Sequence, residues 1–148
     1  MSRIPRLHEN LKTGATAEAL TAARFRAYAR RAERDGLPNL AARWRELARA
    51  KDDLAIAQLE AAGQVRGPEE ELEAAIAEER YENEVLYPKL IADAAGESTA
   101  VFQEVIAAQQ RHLEALEELR RALGGSEGDV AATVEAGVAA GVLDERRR

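Results

Sequence analysis

The chain contains no cysteine, and this absence already excludes several kinds of site. It cannot form a disulfide, a thiolate-bound zinc or iron centre, or a thiol nucleophile. Any metal would therefore need carboxylates or the two histidines, His8 and His112. The sequence also lacks an apolar run of membrane-spanning length, and its opening residues lack the apolar region of a signal peptide. We expect a cytoplasmic protein that does not bind membranes.

Positive charge and aromatic residues are also scarce. The 148 residues include 21 Lys and Arg against 27 Asp and Glu, which gives a formal net charge of −6. Nucleic-acid binders need clustered cations to displace the counterions of the phosphate backbone, so we expect no nucleic-acid partner. Only 4% of the residues are aromatic, whereas Ala, Leu, Glu and Arg are abundant. This composition favours an all-α protein.

Glycine and proline occur where helices are expected to end and begin. The sequence predicts four long helices, from about Thr13 to Asp35, Pro38 to Ala62, Pro68 to Ala95 and Ser98 to Leu123, and a short fifth one from Asp129 to Leu143. Helices of these lengths match an antiparallel four-helix bundle made of two helical hairpins. We therefore expect the bundle in residues 1–124 and the C-terminal helix and tail in residues 125–148.

Charged residues lie inside the apolar stripes of these helices. Glu18, Lys51 and Glu79 fall near the centres of the first, second and third stripes, and Glu82 lies on the flank of the third. Counting from the glycine that ends each hairpin's first helix places Glu18 and Glu79 at the same height. An unpaired ion in a dry core costs several kcal/mol, so these charges indicate either a metal site or a buried ion pair.

The motifs around these glutamates resemble those of a known family. The third helix contains Glu79-Arg80-Tyr81-Glu82 followed by Tyr87-Pro88, and the first contains Glu18, Tyr28-Ala29 and an acidic turn ending at Gly36. Over about residues 10–122 the chain resembles the rubrerythrin family of the ferritin-like superfamily. The resemblance implies a ferritin-like bundle with a di-iron centre, and it assigns Glu18, Glu79 and Glu82 as iron ligands.

Four other ligands expected from this resemblance are missing. The family's Glu-x-x-His pair in the second helix aligns with Lys51 and Leu54, and its glutamates in the fourth helix align with Gln110 and Leu113. In one interpretation, Lys51 pairs with Glu18 and Glu79 and provides positive charge in place of iron. In another, the metal site is rearranged around other side chains, drawn from Asp52, Asp53, His112 and Glu114. In a third, Lys51 extends its ammonium to the bundle surface.

The function expected from these residues is that of a rubrerythrin-like protein which has lost its di-iron centre. It would act as a structural or interaction protein with no cofactor. The alternative is a di-iron peroxidase or ferroxidase with a rearranged carboxylate site; without cysteine there is no rubredoxin domain, so it would need an external electron donor. The C-terminal helix, with valines at four-residue spacing and Gly137 four residues before Gly141, predicts a homodimer.

Overall fold

The computed structural model describes residues 6–94, 99–125 and 128–131, which contain helices and no β-strand. The helices are α1 (Leu7–Arg34), α2 (Pro38–Ala61), α3 (Pro68–Tyr81), a π-helical segment (Glu82–Leu86), α4 (Tyr87–Asp93) and α5 (Ala100–Gly124). The all-α class is confirmed. Since α3, the π segment and α4 are continuous, they correspond to the predicted third helix. The predicted helix from Asp129 to Leu143 falls almost entirely on residues 132–148, outside the described residues.

The chain divides into two compact units, Met1–Arg66 and Gly67–Arg148. We call α1 and α2 the first hairpin, and α3, the π segment, α4 and α5 the second hairpin. Within each hairpin, contacts pair early residues with late ones, so its two arms are antiparallel. None of the helices in the described part of the chain combines the length and the hydropathy that a membrane span requires.

Two rows of alanine hold the first hairpin together. Successive members are seven residues apart, and every one is at most 6% exposed: Ala15, Ala22 and Ala29 from α1, Ala41, Ala48 and Ala55 from α2, and Ala62, which immediately follows α2. A seven-residue spacing keeps one side of a helix facing its neighbour along its length. Methyl side chains also let two helix backbones approach closely. We call these two rows the alanine seam.

The larger apolar side chains of the first hairpin lie beside the seam. Leu40, Leu47 and Leu54 each precede a seam alanine by one residue, and each is about half exposed. The sequence places these leucines in the packing stripe of the second helix, but alanines make the contact between α1 and α2. Trp44 packs against buried Ala29, Ala32 and Ala41. Its ring centroid lies 5.0 Å from that of Phe25 and 5.2 Å from that of Tyr28, which forms an aromatic cluster near the turn.

Glycine ends both helices of the first hairpin, as predicted. Gly36 has a φ of 74°, and the following Leu37 N–H donates to the carbonyl of Ala32 over 2.8 Å. Gly63 repeats this arrangement with a φ of 69° and a bond from Gln64 N–H to the carbonyl of Leu59. This is the Schellman pattern, in which a left-handed residue lets the chain satisfy the last free carbonyls of a helix.

The first helix begins at Leu7, earlier than the predicted Thr13. The glycine at position 14 made this region resemble a helix start, but Gly14 lies inside α1. The side-chain amide of Gln58 occupies the place that a Cβ at this position would take, so the glycine leaves room for this α2 side chain against the α1 backbone. The added N-terminal turn is fixed by His8, whose Nδ1 lies 3.2 Å from the carbonyl oxygen of Ala62.

The second hairpin changes its backbone hydrogen bonding next to Pro88. Proline has no N–H, and its ring crowds the carbonyl four residues earlier, so an α-helix cannot continue through it unchanged. The sequence predicts a kink there. The structure shows a five-residue π segment just before the proline, in which Tyr87 N–H donates to the carbonyl of Glu82, five residues back. Nearby, the Tyr87 and Phe102 rings lie 5.9 Å apart and join the two arms of this hairpin.

The alanine seam makes a mutational prediction. Ala22 is fully buried in the seam, whereas the adjacent Ala23 is exposed. Ala22→Leu should lower the free energy of unfolding by about 1 to 3 kcal/mol, because the larger side chain forces the helices apart. Ala23→Leu should change it by less than about 0.5 kcal/mol. Urea denaturation followed by circular dichroism would measure both, and equal effects of the two substitutions would contradict the seam.

Candidate functional site

Glu18 and Lys51 form an ion pair across the first hairpin. The Lys51 Nζ lies 2.8 Å from the Glu18 Oε2, and the side chains are 34% and 26% exposed, respectively. The ammonium approaches from outside the angular range of a hydrogen bond, so this buried oxygen has an ionic partner but no hydrogen bond among the described residues. Because both side chains are on the face that carries the aromatic cluster, the pair is continuous with the apolar surface of the hairpin.

The second hairpin contains a polar cluster at the start of its π segment. Gln109, which is 7% exposed, donates through its Nε2 to the Oε2 of Glu82. Glu79 lies one turn before Glu82 and interacts electrostatically with His112 of α5. We call Glu79, Glu82, Asn83, Gln109 and His112 the polar cluster. It joins two of the predicted ligands, Glu79 and Glu82, to side chains of the opposite arm.

Several oxygens of the polar cluster are buried without a hydrogen bond. They are the Oε2 of Glu79, the Oδ1 of Asn83 and the Oε1 of Gln109, none of which has a hydrogen-bond donor in the described part of the chain. Buried polar atoms are nearly always hydrogen-bonded, and three exceptions in one cluster therefore require an explanation. If Glu79 were protonated, it could donate a hydrogen bond to a neighbouring acceptor, and fewer of these oxygens would lack a donor.

The electrostatics of Glu79 favour such a proton. Burial raises the pKa of the Glu79 carboxyl above its ordinary range because the charged form loses hydration. The nearby His112 lowers this pKa, while the negative charges of Glu82 and Glu78 raise it further. The net direction is upward, so Glu79 holds its proton to a higher pH than an exposed glutamate does.

The other residues considered as replacement ligands have different roles. Asp52 accepts a 2.6 Å hydrogen bond from Arg26, and Asp53 is exposed. Glu114 is also exposed, and only His112 lies near a predicted ligand. Among the described residues, no three His, Asp or Glu side chains are close enough together to hold a metal ion.

The donor chemistry of the predicted ligands fits a di-iron centre poorly. The Oε2 of Glu18 faces an ammonium, which repels a metal cation, and the Oε2 of Glu82 already accepts a hydrogen bond from Gln109. Iron could bind these oxygens only after both partners moved away. Lys51 and Gln109 thus each contact one of the two carboxylate oxygens of a predicted ligand.

The sequence matches no protein-family model and no curated protein at a significant level of similarity. The rubrerythrin resemblance therefore stays a prediction carried by the motifs alone.

The raised pKa of Glu79 predicts a pH dependence of stability. The native state binds this proton more tightly than the unfolded chain does, so its stabilising effect is complete below the unfolded glutamate pKa of about 4.3. It is lost as the pH rises through the higher native pKa. We expect Glu79→Gln to be more stable than wild type near neutral pH, with the difference shrinking toward pH 4.

Urea unfolding at a series of pH values would test this expectation. Glu84→Gln is the matched control, because Glu84 is an exposed glutamate of the same arm whose charge is not among the causes of the Glu79 pKa shift. A Glu79→Gln curve that runs parallel to that of wild type from pH 4 to pH 7 would show that Glu79 has an ordinary pKa.

Proposed function

We propose that the two hairpins associate as an antiparallel four-helix bundle whose charged layer is held by protein side chains instead of iron. Glu18, Lys51, Glu79 and Glu82 would form this layer, and the protein would act as a structural or interaction protein. The proposal includes the C-terminal fifth helix, the homodimer and the cytoplasmic location that the sequence predicts.

The exposed leucine row of the first hairpin supports the bundle. Leu40, Leu47 and Leu54 are 46%, 50% and 52% exposed, and they share one face with the aromatic cluster. Such a continuous apolar face is stabilised when a second layer of helices covers it.

A single observation supports the proposal of a metal-free layer. The Lys51 ammonium lies 2.8 Å from the Oε2 of Glu18, which the rubrerythrin resemblance assigns as an iron ligand. An ion pair of this kind becomes more important as its surroundings become drier, because the uncompensated carboxylate would then be costly. In a closed bundle, Lys51 would supply part of the positive charge that the layer of glutamates requires. A lysine in this position favours a structural role over redox chemistry.

Three features favour a second candidate, a di-iron peroxidase or ferroxidase. His112 interacts with Glu79, Glu82 begins a π segment, and the Oε2 of Glu79 has no hydrogen bond from the described residues. Single π turns occur frequently at functional sites. Glu18, Glu79, Glu82 and His112 would hold the metal, which would supply oxidation chemistry, and an external donor would supply the electrons.

Iron binding distinguishes the two candidates. The full-length protein would be incubated anaerobically with Fe(II), desalted and analysed for metal, beside Glu79→Gln and Lys51→Met. The structural role predicts no retained iron in wild type or in Glu79→Gln. Lys51→Met tests whether the ammonium is what keeps iron out, since iron retained only by this variant would assign that role to Lys51.

The di-iron candidate predicts a different pattern. Wild type would retain about two irons per chain, as di-iron bundles do, and Glu79→Gln would lose them. That result would contradict the metal-free layer and would direct the next measurements to peroxide and oxygen consumption.

A further inference from the structure

The first hairpin carries an open groove on the side of the alanine seam away from the leucine row. Its volume is about 310 Å³, and it lies entirely within this hairpin. Seam residue Ala48 contributes to its floor, and the other lining residues are charged: Arg26, Arg30, Arg45, Arg49 and Asp52. Because the alanines are small, the arginine side chains can line both sides of a narrow channel.

Only some of these arginines have partners within the protein. Arg26 pairs with Asp52 over 2.6 Å, and Arg45 pairs with Glu33 over 2.6 Å, in both cases across the hairpin. Arg30 follows Arg26 by one helical turn, and no carboxylate in the described part of the chain pairs with it. The same holds for Arg49, one turn after Arg45. Two free guanidinium groups therefore share the groove with two paired ones.

This local charge opposes that of the whole chain. The protein has a formal net charge of −6, but the groove has four guanidinium groups against the single carboxylate that lines it. Even with Glu33 counted, the cations exceed the anions by two. A cleft lined by charges of one sign concentrates the electric field and attracts ligands of the opposite sign. The ligand should accordingly be an anion with more than one negative charge.

We propose that this groove binds the di- or triphosphate group of a ligand, either as free polyphosphate or as part of a nucleotide. Guanidinium groups match phosphate oxygens because each can donate two parallel hydrogen bonds, and a phosphate chain presents successive anions along a line. The groove lining includes no aromatic side chain on which a base could stack. The phosphates, and not the nucleoside, are the recognised part.

Tripolyphosphate binding to the full-length protein tests this assignment. Isothermal titration calorimetry would be carried out at low ionic strength, where charge-assisted contacts are least screened. Arg30→Gln combined with Arg49→Gln should weaken binding by roughly tenfold or more, because charged hydrogen bonds are lost. The matched control is Arg24→Gln combined with Arg111→Gln, which removes the same charge from exposed positions outside the groove.

Two further measurements complete the test. Asp52→Asn should bind tripolyphosphate more tightly than wild type, because Asp52 competes with the ligand for Arg26. Titration with ATP would then identify the source of the phosphate chain. If ATP binds more tightly than tripolyphosphate through the same arginines, the ligand is a nucleotide. If tripolyphosphate binds more tightly, the ligand is free polyphosphate.

Three results would overturn the proposal. They are the absence of tripolyphosphate binding to wild type, an equal loss of affinity in both double variants, and weaker binding by Asp52→Asn. The equal loss would mean that tripolyphosphate binds surface arginines in general and has no preference for the groove. Circular dichroism of each variant would verify that the helices remain folded.

Discussion

The close approach of α1 and α2 along the alanine seam is the constraint on which the rest of the first hairpin depends. Since methyl groups fill much of the space between the helices, the larger apolar and charged side chains lie beside the seam. The aromatic cluster, the leucines and the Glu18–Lys51 pair project to one side, and the groove arginines to the other. Two exposed ion pairs, Arg26–Asp52 and Arg45–Glu33, also join the two helices in this register.

The two arms of the second hairpin pack differently, with a polar cluster between them. Ile76 and Ala108 supply part of its buried contact, and the buried Gln109 allows a polar cluster to exist between the arms. The π segment adapts the backbone to Pro88 and begins at Glu82, the acceptor of the Gln109 hydrogen bond. The π segment and the polar cluster with its unsatisfied oxygens therefore begin at the same residue, Glu82. In both hairpins, a predicted iron ligand contacts a side chain of the opposite arm: Lys51 for Glu18 and Gln109 for Glu82.

The sequence predicted the four long helices because glycine and proline mark their ends, as Gly36 and Pro38 do. It missed the start of α1, since the collision between a Cβ at position 14 and Gln58 depends on packing that no local pattern reveals. The bond from Gln109 to Glu82 could not be predicted, because it depends on the register between two arms. Heptad counting of the alanines could have revealed the seam, whereas the leucines gave the stronger hydrophobic signal.

A double-mutant cycle on Glu18 and Lys51 tests the central claim most directly, using Glu18→Gln, Lys51→Met and the double variant. If the pair is enclosed and takes the place of a metal, the coupling energy should be about 2 kcal/mol or more. The matched cycle is the exposed pair of Arg43 and Glu46, which are 2.9 Å apart and should couple by less than about 0.5 kcal/mol. A Glu18–Lys51 coupling as small as that of the exposed pair would show that the ion pair does not hold a buried layer together.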